Sequence, residues 1–181
     1  MRHALAVLAA LLISTTAALG IAAATDPKPA HAGVYVTGCT GTQVYLTDRE
    51  KRMLVLHNQE RRARGLPIFC VHPALQKAAR AHAKEMVDKD YFSHYSYNGE
   101  SFSARLIRYG YNWSTCAENI GWGTGSRGEP DYQFGLWMNS SGHRAHILDS
   151  RHKEIGIGQA YGVYKAYSNA RMWTVDFGSR P

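Results

Sequence analysis

Hydrophobic positions fall into three regimes along the chain. Residues 4–24, "ALAVLAALLISTTAALGIAAA", are apolar without a single charge. Between 48 and 139 the apolar residues recur mainly at helical spacing, and from 154 onward they alternate with period two. Thr47 and Glu50 form a capping box that opens a helix running to Arg64, where Gly65 and Pro67 stop it. "LPIFCV" (66–71) reads as a short extended piece. Pro73 sits at the first position of a second helix over 73–89, with Leu75, Ala78, Ala79, Ala83 and Met86 on one face. His82 shares that face and is expected to pack in the core. A turn-rich stretch (91–111) holds a short helix at 101–109, and "STCAENIGWGTG" (114–125) reads as a strand ending in glycines. Residues 130–139 form another helix, with Phe134, Trp137 and Met138 directed inward. The closing runs "EIGIGQAYGVYKAY" and "ARMWTVDFG" are antiparallel strands, with a turn expected at Ser168-Asn169. Helices first, strands last and one strand between them predict an α+β fold whose sheet is covered by helices.

The leading apolar regime follows Arg2 and His3 and runs into small residues, the pattern of a signal peptide cleaved after Ala24 or Ala32. The stretch is nearly long enough for an uncleaved anchor, but its small residues and the Ser-Thr-Thr interruption favour secretion. No second apolar span follows. The expected organisation is a signal peptide and pro-like segment over 1–32, a lead-in over 33–47 and a folded domain over 48–179.

An extracellular, oxidising destination changes how Cys39, Cys70 and Cys116 read: one disulfide and one leftover thiol. Their spacing matches no metal knuckle. Cys70–Cys116 is the favoured pair, because both lie inside the compact region, and Cys39 with either partner is the alternative.

Composition adds less. With 45% hydrophobic and 19% charged residues among 181, the chain is that of one globular domain. A net charge of +7 is compatible with anionic partners such as wall polymers or lipid. No dense basic run with interleaved aromatics marks a specific nucleic-acid site.

Most catalytic signatures are absent. There is no HExxH, no GxSxG elbow and no phosphate loop, and an oxidising destination disfavours a Cys–His nucleophilic pair. What remains is dispersed: His94 in "FSH", Glu118 in "AEN" and His143 in "GHR", each a polar residue among apolar or small neighbours. Two imidazoles and one carboxylate can hold a divalent cation with open positions, His94 and His143 being the ligands.

The motifs "LHNQER", "LQKAARAHAKEM", "YFSH", "RLIRYGY", "AENI", "WMNSSGHRAHIL", "IGIG" and "WTVDFG" follow one another in order. Together they resemble the bacterial branch of the CAP superfamily (cysteine-rich secretory proteins, antigen 5 and pathogenesis-related protein 1; the SCP domain) over about residues 48–179. The resemblance implies a three-layer α-β-α sandwich around a central antiparallel sheet. It also implies a cleft lined by two His and two Glu, in some members occupied by zinc or another divalent cation. His94, Glu118 and His143 match three of the four, and Ser140 stands where the second Glu is expected. His146 is expected outside the set, nearer the surface. Family members are secreted and mostly not established enzymes, which implies a monomeric, non-enzymatic extracellular protein contacting wall components or lipid. A metal- or carboxylate-dependent hydrolase and a lipid- or sterol-binding module are the alternatives.

Overall fold

A computed structural model describes residues 33–181; the segment read as a signal peptide, with both of its cleavage sites, lies outside the described residues. The lead-in is itself ordered. Strands β1 (Gly33–Thr37) and β2 (Gln43–Thr47) form an antiparallel hairpin. Thr47 ends β2 and caps helix α1 (Asp48–Ala63): its hydroxyl accepts from the Glu50 amide (3.2 Å), and the Glu50 carboxylate accepts from the Thr47 amide (2.9 Å). Glu50 is buried and also receives Arg80 at 2.8 and 2.5 Å, so the capping carboxylate ties α1 to the next helix.

That helix, α2 (Pro73–Asp88), lies on the main sheet through the apolar face read from its sequence. A β-carbon added at Gly156 or Gly158 would stand 2.1 and 2.2 Å from the backbone of Leu75 and Ala79. The glycines of "IGIG" are therefore what lets α2 approach so closely. Helix α3 (Phe102–Arg108) lies on the same face as α2.

The main sheet runs β3 (Cys70–Val71), β5 (Glu154–Tyr164), β6 (Tyr167–Ser179), β4 (Thr115–Thr124). It is mixed rather than purely antiparallel: β3 enters between α1 and α2 and runs parallel to β5, and the other pairs are antiparallel. Its opposite face carries α1, α4 (Pro130–Asn139) and α5 (Ser141–Leu148) over a core that includes Met53, Phe134, Trp137, Ile147, Trp173 and Phe177. The three-layer arrangement holds. The β5–β6 turn falls at Lys165–Ala166 instead of Ser168-Asn169, with φ of 46° and 66° at those two residues. Positive φ at both positions gives the primed turn that matches strand twist, and the hairpin closes where Tyr164 and Tyr167 meet Trp122, at 4.9 and 5.8 Å between ring centroids.

The favoured disulfide is overturned. Cys39 pairs with Cys70, Cα atoms 5.3 Å apart, and Cys116 is a free thiol. The sheet register gives the reason. Cys70 stands opposite Glu154, Glu154 opposite Gly178, and Gly178 opposite Cys116. Three strand spacings of about 4.8 Å separate Cys70 from Cys116, roughly 14 Å, twice the ~7 Å a disulfide spans between Cα atoms. Cys39 instead reaches β3 because its amide bonds the Val71 carbonyl at 2.9 Å.

Arg61, fully buried on α1, fixes where α5 ends. Its guanidinium donates to the carbonyls of Pro67 (2.7 Å), Ile147 (2.8 Å), Asp149 (2.9 Å) and His152 (2.9 Å) and lies 3.9 Å over the Phe69 ring. Replacing it by Leu strips four carbonyls of a charged donor. Arg61→Leu is expected to cost at least about 3 kcal/mol, a fall of roughly 6–12 °C in Tm at this size, measurable by calorimetry.

His57 is buried among Phe69, Phe134, Trp137 and Phe177, with its Nε2 unpartnered and its Nδ1 on the Met53 carbonyl (2.8 Å). Burial pulls its pKa down to about 4. The native state thus holds it neutral while the unfolded chain takes up a proton near pH 6.5, so its contribution is complete above that pH and declines as pH falls towards 4. Between pH 7 and 5 the wild type should lose about 2 kcal/mol relative to His57→Phe. Denaturant midpoints of both proteins at the two pH values check this; a constant difference would refute it.

Candidate functional site: a cleft at the edge of the sheet

Strand β4 is an edge strand, and three of its outward carbonyls, those of Glu118, Ile120 and Trp122, are claimed by side chains. The Ile120 carbonyl accepts from Trp137 Nε1 (3.0 Å) and the Trp122 carbonyl from Gln133 Nε2 (2.9 Å), donors one turn apart on α4. The His146 ring of α5 lies within hydrogen-bonding reach of the Glu118 carbonyl. Gly121 makes this possible, since a β-carbon there would stand 2.3 Å from Gln133 Oε1. The ladder of side chains blocks further strand pairing and sets the register of α4 and α5 against β4. Ser140, extended at φ −99° and ψ 121°, is the single-residue break between the two helices. Buried Asn119 completes the fixation: its Nδ2 donates to the His143 carbonyl (3.1 Å) and its Oδ1 meets His146 Nδ1 (2.9 Å).

On the other face of β4, the Glu118 side chain is 1% exposed. One carboxylate oxygen meets His94 Nδ1 at 2.8 Å, and the other receives Arg105 from α3, itself fully buried. Arg105 also donates to Ser96 Oγ (2.9 Å) in the loop that carries His94. That loop is tied back to α2 by His82, whose Nε2 meets the Ser93 carbonyl at 2.8 Å; His82 is the core histidine its position predicts. Across the strand pair from Glu118 stands Asp176, fully buried and within hydrogen-bonding reach of the Glu118 carboxyl group. Burial pushes Glu118 up to about 7 against the pull of Arg105. Burial and the neighbouring Glu118 charge hold Asp176 well above the usual carboxylate range. One guanidinium balances one carboxylate, and Asp176 is the acid that stays neutral.

The cleft beside Glu118 encloses about 530 Å³ and is walled by His94, Tyr95, Phe102, Cys116 and His146. His94 and Glu118 thus meet as expected. His143 does not line this cavity; its Nδ1 meets Ser140 Oγ at 2.8 Å. The ring nevertheless lies close enough to His146 and His94 for their charges to add to burial in lowering its pKa. His146, expected outside the site, is on the wall. Burial lowers all three imidazoles, His94 with a further push from Arg105. Their neutral forms are thereby favoured.

The donor chemistry suits a metal in part. His94 and His143 each have Nδ1 held by an oxygen, which orients the ring and leaves Nε2 for a cation. Among the described residues, the one trio of His, Cys, Asp or Glu ligand atoms within 4.8 Å of one another is Cys39, Cys70 and Glu154, and its sulfurs are joined as a disulfide. His94 and His143 thus have no third protein ligand gathered with them among the described residues, and a cation held by this pair would need water or a ligand to complete its shell.

Arg105, Asn119 and Asp176 were not singled out by the sequence reading. Asp176 carried a usable signal, an acid on the inward face of an otherwise apolar strand. Arg105, within an ordinary-looking helix, carried none. A second carboxylate does stand near: Glu100, six residues past His94, is clasped by Arg108 (2.8 and 3.0 Å) and lowered chiefly by it, with Arg105 adding.

Comparison with known proteins agrees with this architecture. The model of the cysteine-rich secretory protein family (CAP) matches residues 54–177. The uncharacterized protein YkwD of Bacillus subtilis is 34% identical over 128 residues, 71% of this chain and 46% of its own length. The chain thus spans less than half of that relative. An outer surface protein of Borrelia burgdorferi superposes with TM-score 0.64 at 18% identity, over 83% of this chain and all of the other. An extracellular SCP-domain protein of Bacillus anthracis superposes with TM-score 0.62 at 25% identity, over 78% of this chain and 47% of the other. No helix among the described residues is long and apolar enough to cross a membrane. With the family model covering most of the sequence and the same sandwich in bacterial SCP structures, this chain belongs to the cysteine-rich secretory protein (CAP) family.

Proposed function

We propose that the chain is a secreted, non-enzymatic CAP module whose cleft binds a small ligand, and a divalent cation such as Zn2+ weakly through His94 and His143. The observation that carries this is the state of Glu118. A general base needs a lone pair within reach of a substrate proton, but both oxygens of Glu118 are engaged and its side chain is almost wholly buried. The carboxylate acts as the counter-ion that holds Arg105 and orients His94. Tyr95, Phe102, Ala117 and Cys116 offer the ligand an apolar wall. Secretion draws support from the signal-like leader and from relatives described as outer-surface and extracellular; envelope or wall components and lipid are the partners this location supplies.

Titration of the purified protein with zinc by calorimetry tests the metal part. Binding is expected to be weak and to vanish in His94→Ala/His143→Ala; no heat in the wild type, or an unchanged isotherm in the double variant, removes it.

Glu118→Gln separates the structural role from a catalytic one. Taking the charge from a buried pair leaves Arg105 uncompensated, at a cost of about 3 kcal/mol and a Tm lower by roughly 6–12 °C. The hydrolase reading wins instead if the wild type degrades peptidoglycan or peptides and Glu118→Gln abolishes this with Tm unchanged.

A further inference from the structure

A second concavity lies further along β4, away from the histidines. It encloses about 430 Å³ between Trp122 of the strand, Tyr132 and Leu136 of α4 and Tyr167 at the start of β6, with Arg127 on its rim. Tyr132 and Leu136 are one helical turn apart and both open to solvent, at 44% and 48% exposure, and Tyr167 is 52% exposed. Gly123 shapes the floor: a β-carbon there would stand 2.4 Å from the Arg127 carbonyl, so only glycine lets the 3-10 turn over Gly125–Gly128 fold back onto the strand.

These aromatics are not spare core. Half-buried Trp122 packs one edge against buried Tyr164 and lines the groove, while its neighbours Tyr132 and Tyr167 turn amphipathic rings outward, each with an apolar face and a hydroxyl. The acids at the start of α4 are each held by arginines. Glu129 is taken by Arg49 and Arg171, and Asp131 by Arg52. Arg127 has no carboxylate partner among the described residues, and Lys165 lies over the Tyr164 ring at 5.3 Å. Both acids are thus engaged by arginines, and Arg127 is left to answer an external anion.

We propose that this groove is a binding site for a linear acidic glycan, sugar rings lying on Tyr132, Tyr167 and Trp122 and a uronate or equivalent carboxylate on Arg127. Flat rings and hydroxyls in a groove suit the C–H faces and hydroxyls of a pyranose. A membrane surface would call for protruding aliphatic side chains, and Leu136 is the one such residue here. An added β-strand is excluded, because the Trp122 and Ile120 carbonyls are already occupied. The assignment is independent of the cleft: Trp122 lies four residues beyond Glu118, about 13 Å along an extended strand.

The test is titration of the purified protein with a hyaluronan hexasaccharide, followed by tryptophan fluorescence, with chitohexaose as the uncharged comparison. Hyaluronan should bind at least fivefold more tightly than chitohexaose, and Arg127→Ala should erase that difference. Tyr132→Ala/Tyr167→Ala, two exposed positions whose loss leaves the fold intact by circular dichroism, should weaken both at least tenfold. Unchanged binding in that variant overturns the proposal. So does an equal loss in His94→Ala, which would place the sugar in the cleft, or binding to phosphatidylglycerol vesicles with none to either oligosaccharide.

Discussion

One buried guanidinium facing two buried carboxyl groups is the constraint around which the cleft is arranged. Arg105, Glu118 and Asp176 come from α3, β4 and β6, and all three are shut off from water. A single positive charge in such a place can stabilise one negative charge and no more. The cluster therefore admits few arrangements: Glu118 carries the charge, Asp176 the proton, and His94 sits at the solvent end as the group through which the cluster meets the cleft. Buried ion pairs add little net stability, but removing one member leaves the others stranded. The result is a site that is rigid without being strongly stabilising.

The second constraint acts on the opposite side of the same strand. An exposed edge ten residues long would invite pairing with another chain. Here α4 and α5 supply side-chain partners for the Glu118, Ile120 and Trp122 carbonyls, and α5 brings His143 and His146 with it. Protection of the sheet edge and placement of the histidines are the same set of hydrogen bonds. Arg61 fixes the far end of α5 by gathering the Ile147, Asp149 and His152 carbonyls. Without both anchors, the short helix would have no reason to hold His146 beside Glu118.

What the sequence disclosed follows from the range of the interactions involved. The capping box at Thr47, the small-residue face of α2 and the alternation of the last strands are local signals, and each of those elements formed, the last two strands meeting at a different turn. His94 and Glu118 were legible as polar residues in apolar surroundings. The disulfide was not, because pairing depends on strand order: β5 and β6 lie between β3 and β4, and no local pattern reveals that insertion. The parallel placement of β3 and the closing turn at Lys165–Ala166 have the same origin, since tertiary packing of Tyr164 and Tyr167 on Trp122 outweighed the turn preference of Ser168-Asn169. Arg105 shows the limit most clearly: nothing near it in sequence marks it as the partner of a carboxylate thirteen residues on.

The bulk charge takes on a different meaning once partners are assigned. Glu50, Glu100, Glu118, Glu129, Asp131, Asp149 and Glu154 are each engaged by an arginine, several of them bridging separate elements. Many acids are thus committed to holding the fold together, within a sequence whose net charge is +7. A surplus spread evenly would do little beyond keeping the protein soluble. Beside a groove of outward-facing aromatic rings, an unpaired arginine becomes part of a recognition surface, because flat stacking selects the shape of a ligand and the charge selects its sign. The same strand, β4, then serves two chemistries a few residues apart: a closed one, where every charge is matched internally, and an open one, where a cation waits for a partner from outside.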